Sequence, residues 1–389
     1  MFNQLYGSSS ANTLCAFALA ATAAITLNSG HAASAAGTDS MLVPGDAIVT
    51  GFSGTVSSPK DRFIDLDGPS AQVLSLRDFA HAPQGTLSDP AIKHRITAAQ
   101  VGQVFAIALD DGQDGAAPDI YLGSTSYFGL EIVVPDRNGD GKADRVRIGQ
   151  PDARWMAGQF GPDSNPGSIW RVNGTTGEVT PFATLPNNTG AGIGDIVFDK
   201  AQRQFFVSDL ETGLIYRIGM DGTIIDSFNH GTDGRSAAGL AAIEDDGRTA
   251  EIRSSAFNGA DPATWGQTQK HRRVAGMALY QGRLYYAVAD GPQIWSVGVG
   301  EGGSFTGDAR LELTVSDLPG TGPVTDMLFD RSGRLYLAQR GEQRTSDEPR
   351  SFAEPATSAV VRYSRTDSAG SNAAPVWTRD EDGYAIGTS

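Results

Sequence analysis

Residues 194–218 read GDIVFDKAQRQFFVSDLETGLIYRI, and this stretch decides the fold. It contains three short runs of β-branched and aromatic residues, which are separated by polar residues and by Gly213. Runs of this length and composition predict three consecutive antiparallel strands. A meander of this size cannot bury both of its faces alone, so other units must stack against it.

Units of the same kind recur along the chain. Comparable sets of three runs span residues 105–172, 274–297 and 324–363. Strand-like runs that suit an outer, fourth strand lie at 179–185, 223–228 and 311–315. Repeats of about 40 to 50 residues with four strands each are typical of β-propeller blades. We therefore predict an all-β fold, a β-propeller of about six four-stranded blades with loop insertions.

The number of blades depends on two long intervals between units. Equivalent positions are Leu109, Phe198, Leu279 and Phe329, at intervals of 89, 81 and 50 residues. The first two intervals could each hold two units or one unit with an insertion. Aromatic residues at another equivalent position predict packing between blades: Trp170, Tyr216, Trp295 and Tyr363.

The two ends of the predicted propeller leave alternatives open. Strand-like runs at 47–52, 62–65 and 71–76 form either a degenerate first blade or an outer strand that closes the ring on the last blade. We predict a long loop from Asp78 to Ile96 and a closing strand at 374–378.

The amino terminus has the composition of a signal peptide. Residues 1–38 contain no Asp, Glu, Lys or Arg, and an apolar segment runs from Thr13 to Leu27. This segment is short for a membrane span. We predict a signal peptide at 1–35 and a single propeller domain at 36–389, which is exported to the periplasm or the extracellular space. An uncleaved anchor is the alternative; after cleavage, no stable membrane span and no cysteine remain, because Cys15 is the only one.

Composition restricts the partners. The 389 residues carry a net charge of −15, which would repel a nucleic-acid backbone. The acidic surface either keeps the protein soluble or attracts cationic ligands. The expected partner is therefore an unknown protein or a small-molecule ligand, and not a nucleic acid.

One loop has the ligand spacing of a calcium site. Positions 1, 3, 5, 7 and 9 of an EF-hand-like loop, with Gly141 at position 6, would be Asp136, Asn138, Asp140, Lys142 (through its carbonyl) and Asp144. Arg147 stands where a bidentate Glu would complete the loop, and strands rather than helices are predicted on either side. We predict a structural calcium ion here; the alternative is a turn rich in Asp and Asn.

A second candidate site comes from aligning the units. Asp195 and Asp326 lie near the start of the innermost strand of their units, and Asp209 and Asp290 end the following strand. In an antiparallel hairpin these positions are neighbours, which would gather the four carboxylates at one end of the central channel. Such a group would hold a second divalent metal or a substrate, so these aspartates are candidate catalytic residues. Alternatively, they brace turns by accepting backbone hydrogen bonds.

The repeated hydrophobic-Asp, Gly-x-Leu-Tyr-x-Ala and Ile-Trp/Tyr-Arg/Ser pieces resemble the NHL / SMP-30 / strictosidine-synthase-like group of six-bladed propellers over roughly residues 100–363. The resemblance implies a channel that, in the lactonases of the group, holds calcium or zinc on Glu, Asn and Asp. Two functions follow as hypotheses. The favoured one is a calcium-stabilised binding or scaffold module with long loops at 230–272 and 341–357. The alternative is a metal-dependent lactonase or esterase, so whether the protein is an enzyme stays open.

Overall fold

The computed structural model describes residues 40–57, 62–77, 90–113, 115–316, 318–366 and 374–381. The predicted signal peptide and Cys15 lie outside these residues. No helix in the described ranges is long and apolar enough to cross a membrane.

Strands dominate the described chain. Those up to residue 155 are β1 (Asp46–Thr50), β2 (Thr55–Ser57), β3 (Arg62–Ile64), β4 (Pro69–Ser75), β5 (Ala91–Thr97), β6 (Val104–Leu109), β7 (Ile120–Ser124), β8 (Ile132–Val134), β9 (Asp144–Val146) and β10 (Arg154–Trp155). The later ones are β11 (Ser168–Val172), β12 (Val179–Thr184), β13 (Ile193–Asp199), β14 (Gln204–Asp209), β15 (Leu214–Gly219), β16 (Ile224–Asn229), β17 (Val274–Tyr280), β18 (Arg283–Val288), β19 (Gln293–Gly298), β20 (Arg310–Thr314), β21 (Val324–Phe329), β22 (Leu335–Gln339), β23 (Ala359–Thr366) and β24 (Val376–Arg379). Helical segments are short: Ala98–Val101, His230–Gly234, Arg235–Ala237, Pro262–Thr264, Glu301–Gly303, Pro349–Ser351 and Pro355–Thr357.

The strands form the blades of a β-propeller. Four sheets have four antiparallel strands each, in the orders β6-β7-β11-β12, β13-β14-β15-β16, β17-β18-β19-β20 and β21-β22-β23-β24. A three-stranded sheet, β1-β4-β5, precedes them. We number these sheets blades 1 to 5 along the chain, so that β1-β4-β5 is blade 1. The first strand of every blade lines one central channel, which confirms the predicted propeller.

The described residues supply five such blades, and the expected number of about six is not confirmed. Each of the two long intervals holds one blade with an insertion, rather than two blades. Of the two alternatives for the amino-terminal strands, the structure shows the degenerate first blade, β1-β4-β5. The outer strand of blade 5 is β24, as the closing strand predicted. The prediction of a loop from Asp78 to Ile96 was wrong at its carboxyl end, because Ala91–Thr97 forms strand β5, which pairs with β4. Residues 78–89 lie outside the described residues.

Separate apolar clusters fill the spaces between successive blades. The four equivalent aromatic residues each belong to a different one of these clusters and are at most 5 % exposed, which confirms their predicted role: Trp170, Tyr216, Trp295 and Tyr363. Burying large aromatic side chains in this way stabilises the stacking of neighbouring blades.

Three long connections within the described residues lie at one end of the channel. They follow β7, β16 and β22, which all end where the inner strands β6, β13, β17 and β21 begin; we call this the upper face and the opposite end the lower face. Segments 125–166, 250–265 and 341–358 pack together there as a cap with its own apolar cluster. Trp265 and Phe352 are in edge-to-face contact within it, with ring centroids 5.0 Å apart.

Candidate functional site

The central channel holds a cavity of about 260 Å³. Its walls are mostly apolar side chains from the five inner strands, and three carboxylates also line it: Asp46, Asp195 and Asp326. Thr50, the last residue of β1, donates from Oγ1 to the carbonyl of Phe105 near the start of β6, at 2.9 Å. Strand β1 therefore runs opposite to the other inner strands. Asp46 therefore lies toward the lower face, whereas Asp195 and Asp326 lie toward the upper end of the cavity.

A bulge near the start of the inner strands places Asp195. The pairing of β13 with β14 jumps from Ile193–Asp209 to Ile196–Val207, and β6, β17 and β21 show similar shifts. Because a bulge re-aims side chains, Asp195 does not follow simple alternation. Gly194 sits in the bulge so close to its neighbours that a Cβ atom would lie 2.6 Å from Ser208 Oγ.

Asp195 joins two neighbouring blades. One carboxylate oxygen accepts a hydrogen bond from its own blade, from Ile196 N at 2.7 Å. The other accepts from Met277 N of β17 in the next blade, also at 2.7 Å. The hydroxyl of Ser208 supports the contact by donating to the carbonyl of Ala275 at 2.7 Å. Asp195 thus does what the bracing alternative predicted, and it lines the cavity as well.

The environment of Asp195 favours its protonated form. Asp195 is 5 % exposed and Asp326 is 7 % exposed. Burial, and next the negative charge of Asp326, raise the pKa of Asp195 well above its ordinary value. Two carboxylates from different blades therefore share a poorly solvated wall, and a cation between them would relieve both the desolvation and the repulsion.

The structure does not bring the other two predicted aspartates into the cavity. Asp209 is fully buried and caps the turn after β14, where it accepts from Glu211 N at 2.9 Å and Thr212 Oγ1 at 2.8 Å. Burial raises its pKa to about 7. Asp290 is partly exposed and contacts Nδ1 of His271 at 2.6 Å. The second strand of a blade stands behind the first, and so its end does not face the channel.

Asp46 is a cavity residue that sequence reasoning missed. Its side chain is fully buried; one oxygen accepts from Val43 N at 3.0 Å and contacts Lys93, whereas Oδ1 has no hydrogen-bond partner. The first blade lacks the repeat pattern of the others, so alignment of the units could not reveal this position.

Tyr127, also missed, closes the upper end of the channel. Its ring is 2 % exposed and packs with Ala191, Leu210 and Ala275, which come from blades 3 and 4. Phe105 meets it edge to face at 4.8 Å. The ring therefore obstructs entry to the cavity from the upper face. Tyr127 belongs to an insertion, where no repeat signal marks it.

The predicted calcium loop connects β8 and β9 on the exposed side of the cap. Asp136 accepts from Gly139 N and Gly141 N, each at 2.7 Å. Asp140 accepts from Lys142 N at 2.9 Å. Asn138 Nδ2 donates to Asp144. Across the described ranges, no three His, Cys, Asp or Glu side chains are grouped as metal ligands. The loop has the turn geometry that both alternatives share, and the calcium site stays a prediction.

Comparisons with known proteins show similarity at the level of overall architecture. No family model and no curated protein sequence match the chain. Among solved structures, a proposed 6-phosphogluconolactonase from Bacteroides fragilis is 11 % identical, with 87 % of this chain and 85 % of that chain covered and a TM-score of 0.38. The calcium-binding protein regucalcin from Agrobacterium tumefaciens is 11 % identical over 68 % of this chain and 72 % of its own, with a TM-score of 0.33.

A streptogramin B lyase is similar to the same degree, with 13 % identity, coverage of 73 % and 75 %, and a TM-score of 0.31. The propeller fold rests on the sheets of this chain, and these scores do not place it in the SMP-30-like group. At these identities the likeness says nothing about activity, which must be argued from the channel itself.

Proposed function

We propose that this protein is a binding module that holds a small organic cation with an apolar body in its central channel. The observation that carries the proposal is the 260 Å³ cavity, whose apolar walls end at Asp195 and Asp326. Ligand pockets typically combine such walls with a few converging polar groups.

The geometry suits an amine with an aliphatic or aromatic tail. An ammonium group placed between Asp195 and Asp326 would separate their charges, while Ile107, Met277 and Met327 contact the tail. The net charge of −15 would attract a cation from solution. Since Asp195 has a raised pKa, a bound cation should also favour release of its proton.

Calorimetry with three ligands of equal length tests the proposal on residues 36–389. We expect hexylamine to bind, and hexanol and hexanoate to bind at least tenfold more weakly, because only the amine pairs with a carboxylate. Asp326→Asn should weaken hexylamine about tenfold, the loss of one charge-assisted interaction. Asp290→Asn removes a partly exposed carboxylate outside the cavity and is the matched control. Equal binding of hexanol, or equal loss in both variants, would rule out the carboxylate pair as the cation site.

The alternative proposal, a metal-dependent lactonase or esterase, has one observation in its favour. Asp195 and Asp326 face the same cavity from different blades, so they could contribute two oxygen ligands to a divalent metal. The other two predicted ligands, Asp209 and Asp290, do not reach it. Calcium and zinc titrations of the parent protein and Asp326→Asn, followed by a lactone and ester screen, distinguish the two functions. Metal binding that Asp326→Asn abolishes, together with turnover, favours the hydrolase.

Export, structural calcium at residues 136–144 and a protein partner for the cap loops stay proposals as well. Mass spectrometry of the mature chain from its producing cell tests the first, because cleavage near residue 35 gives a defined new amino terminus.

A further inference from the structure

A second cavity lies at the upper face, outside the channel. Its volume is about 420 Å³, within the range of roughly 300 to 1,000 Å³ that is typical of ligand pockets. Three segments line it: 52–55 and 62–69, which include parts of the β2–β3 hairpin, and 348–349 of the cap. Among the described residues, none lines both this cavity and the channel cavity, so the two sites are separate.

Two arginines hold the cap loop against the hairpin. Arg62, the first residue of β3, contacts the Glu348 carboxylate through Nη1 at 2.6 Å and donates from Nη2 to the carbonyl of Asp347 at 2.5 Å. Arg147 donates from Nη2 to the same carbonyl, at 2.6 Å. Because two guanidinium groups meet on one carbonyl oxygen, the walls that the hairpin and the cap contribute are fixed before any ligand arrives, which favours binding.

Asp65 presents a hydrogen-bond acceptor to this cavity. The residue is partly exposed, and its N–H donates to the carbonyl of Gly54 at 3.0 Å, which fixes its backbone. Oδ1 accepts from Asp67 N at 3.1 Å, whereas Oδ2 has no hydrogen-bond partner among the described residues. A Cβ atom on Gly54 would lie 4.0 Å from Oδ2. The missing side chain of this glycine therefore leaves the free oxygen open to the cavity.

Hydrogen-bond donors and an aromatic ring complete the lining. The Arg62 side chain is 24 % exposed, and its contacts with the cap loop use two of its five N–H donors. Ser53 Oγ accepts from Gln103 Nε2 at 2.9 Å, which leaves the serine O–H to donate. The half-buried ring of Phe52 packs against that of Phe128, with ring centroids 5.9 Å apart. The cavity thus offers donors, an acceptor and one apolar surface.

We propose that this second cavity binds a neutral saccharide. Every sugar hydroxyl both donates and accepts, so neighbouring hydroxyls match the free carboxylate oxygen of Asp65 and the N–H donors of Arg62. The C–H groups on one side of a sugar ring are apolar and pack on the Phe52 ring. Glu348 balances the charge of Arg62, so the cavity has no excess of cationic groups that would favour an anion. This site does not depend on the function proposed for the channel.

Titration of residues 36–389 with glucose, galactose and mannose, followed by ligand-observed NMR, tests the site. We expect saturable binding of at least one hexose. Asp65→Asn should weaken the best of them roughly tenfold, because it removes a hydrogen bond to a charged group and keeps an oxygen for Asp67 N. Asp67→Asn changes an exposed carboxylate on the same turn that does not line the cavity, so this matched control should bind as the parent does. Non-saturating responses with all three hexoses, or equal loss in both variants, would overturn the proposal.

Charged relatives of the best hexose test whether the ligand is neutral. Its uronic acid should bind at least roughly threefold more weakly, because a ligand carboxylate would approach Asp65 and Glu348. Its amino sugar should bind at most roughly threefold more tightly, because ion pairs with partly exposed carboxylates are weak. An amino sugar that exceeds this limit would assign a cation site instead. A uronic acid that binds as tightly as the hexose would contradict the role of Asp65.

A second measurement requires no variant to fold. Amide hydrogen exchange with the best hexose at saturation should slow at least roughly twofold in peptides that cover 52–55, 62–69 and 347–349, because a bound ligand opposes local opening. Exchange in the channel strands β13 and β17 should stay unchanged. Slowing in those strands alone would place the sugar in the channel and overturn the proposal. Hexylamine should slow only the channel strands, so a failure of the cation proposal is read separately.

Discussion

The two ends of the central channel are built from the same strands but differ in charge and access. Toward the lower end lies an apolar cavity with three carboxylates in its walls. The upper end is closed by Tyr127, whose ring lies under the Arg340 guanidinium, and it is covered by the cap. The repeated blades therefore form the walls of the channel, whereas the insertions close and cover its upper end.

The largest expected effect comes from removing the plug. Tyr127→Ala deletes a fully buried ring that contacts three blades and Arg340, so we expect a loss of about 3 to 5 kcal/mol in the free energy of unfolding. Urea titration measures it. Tyr127→Phe keeps the ring and is the control, with a much smaller loss expected. If both variants lose equally little, the ring does not hold the upper end together.

The second prediction concerns pH and the blade interface under the upper face. His230 is fully buried against Tyr286 and Trp295. Burial, and then the charges of Arg235 and Arg272, lower its pKa from 6.5 to about 3. The unfolded chain therefore takes up a proton below pH 6.5 that the folded protein refuses, so stability falls as the pH drops from 6.5 toward 3.

This contribution should be about 1.4 kcal/mol per pH unit within that window. Asp209 acts in the opposite sense, because its raised pKa lowers stability as the pH rises from 3.8 to about 7. The difference between parent and His230→Gln isolates the histidine. Urea unfolding at pH 5 and pH 7 should show the parent losing about 2 kcal/mol more than the variant on acidification. If the parent and His230→Gln lose the same unfolding free energy between pH 7 and pH 5, the lowered pKa of His230 is contradicted.

Much of this architecture was predictable, and the exceptions have physical causes. Strand positions followed from runs such as 205–209, and aromatic residues such as Trp295 marked the interfaces between blades. Asp209 does not reach the cavity because it ends β14, the second strand of its blade, which stands behind β13. Tyr127 could not be found, because the packing of a non-repeating segment places it against the inner strands. The sequence could not fix the blade number, since an insertion and an extra blade occupy similar lengths of sequence.

The smallest expected effect tests whether the cap depends on a metal. The loop at 136–144 belongs to the cap, and Asp136 already accepts two backbone N–H groups there. Those same bonds shape a calcium loop and a plain turn, so geometry alone does not separate the two. If calcium binds, a free concentration of ten times Kd should stabilise the fold by about 1.4 kcal/mol. A calcium titration followed by thermal unfolding measures this.

Asp140→Asn should remove the stabilisation, because it deletes a charged ligand while an amide oxygen keeps the turn. Asp163→Asn, in the same insertion but outside the loop, should keep it. Stabilisation that survives Asp140→Asn and disappears in Asp326→Asn would move the ion from the cap to the channel, and the lower end would then be the metal site. Absence of any calcium effect in the parent protein would leave the loop as a turn that shapes the cap through hydrogen bonds alone.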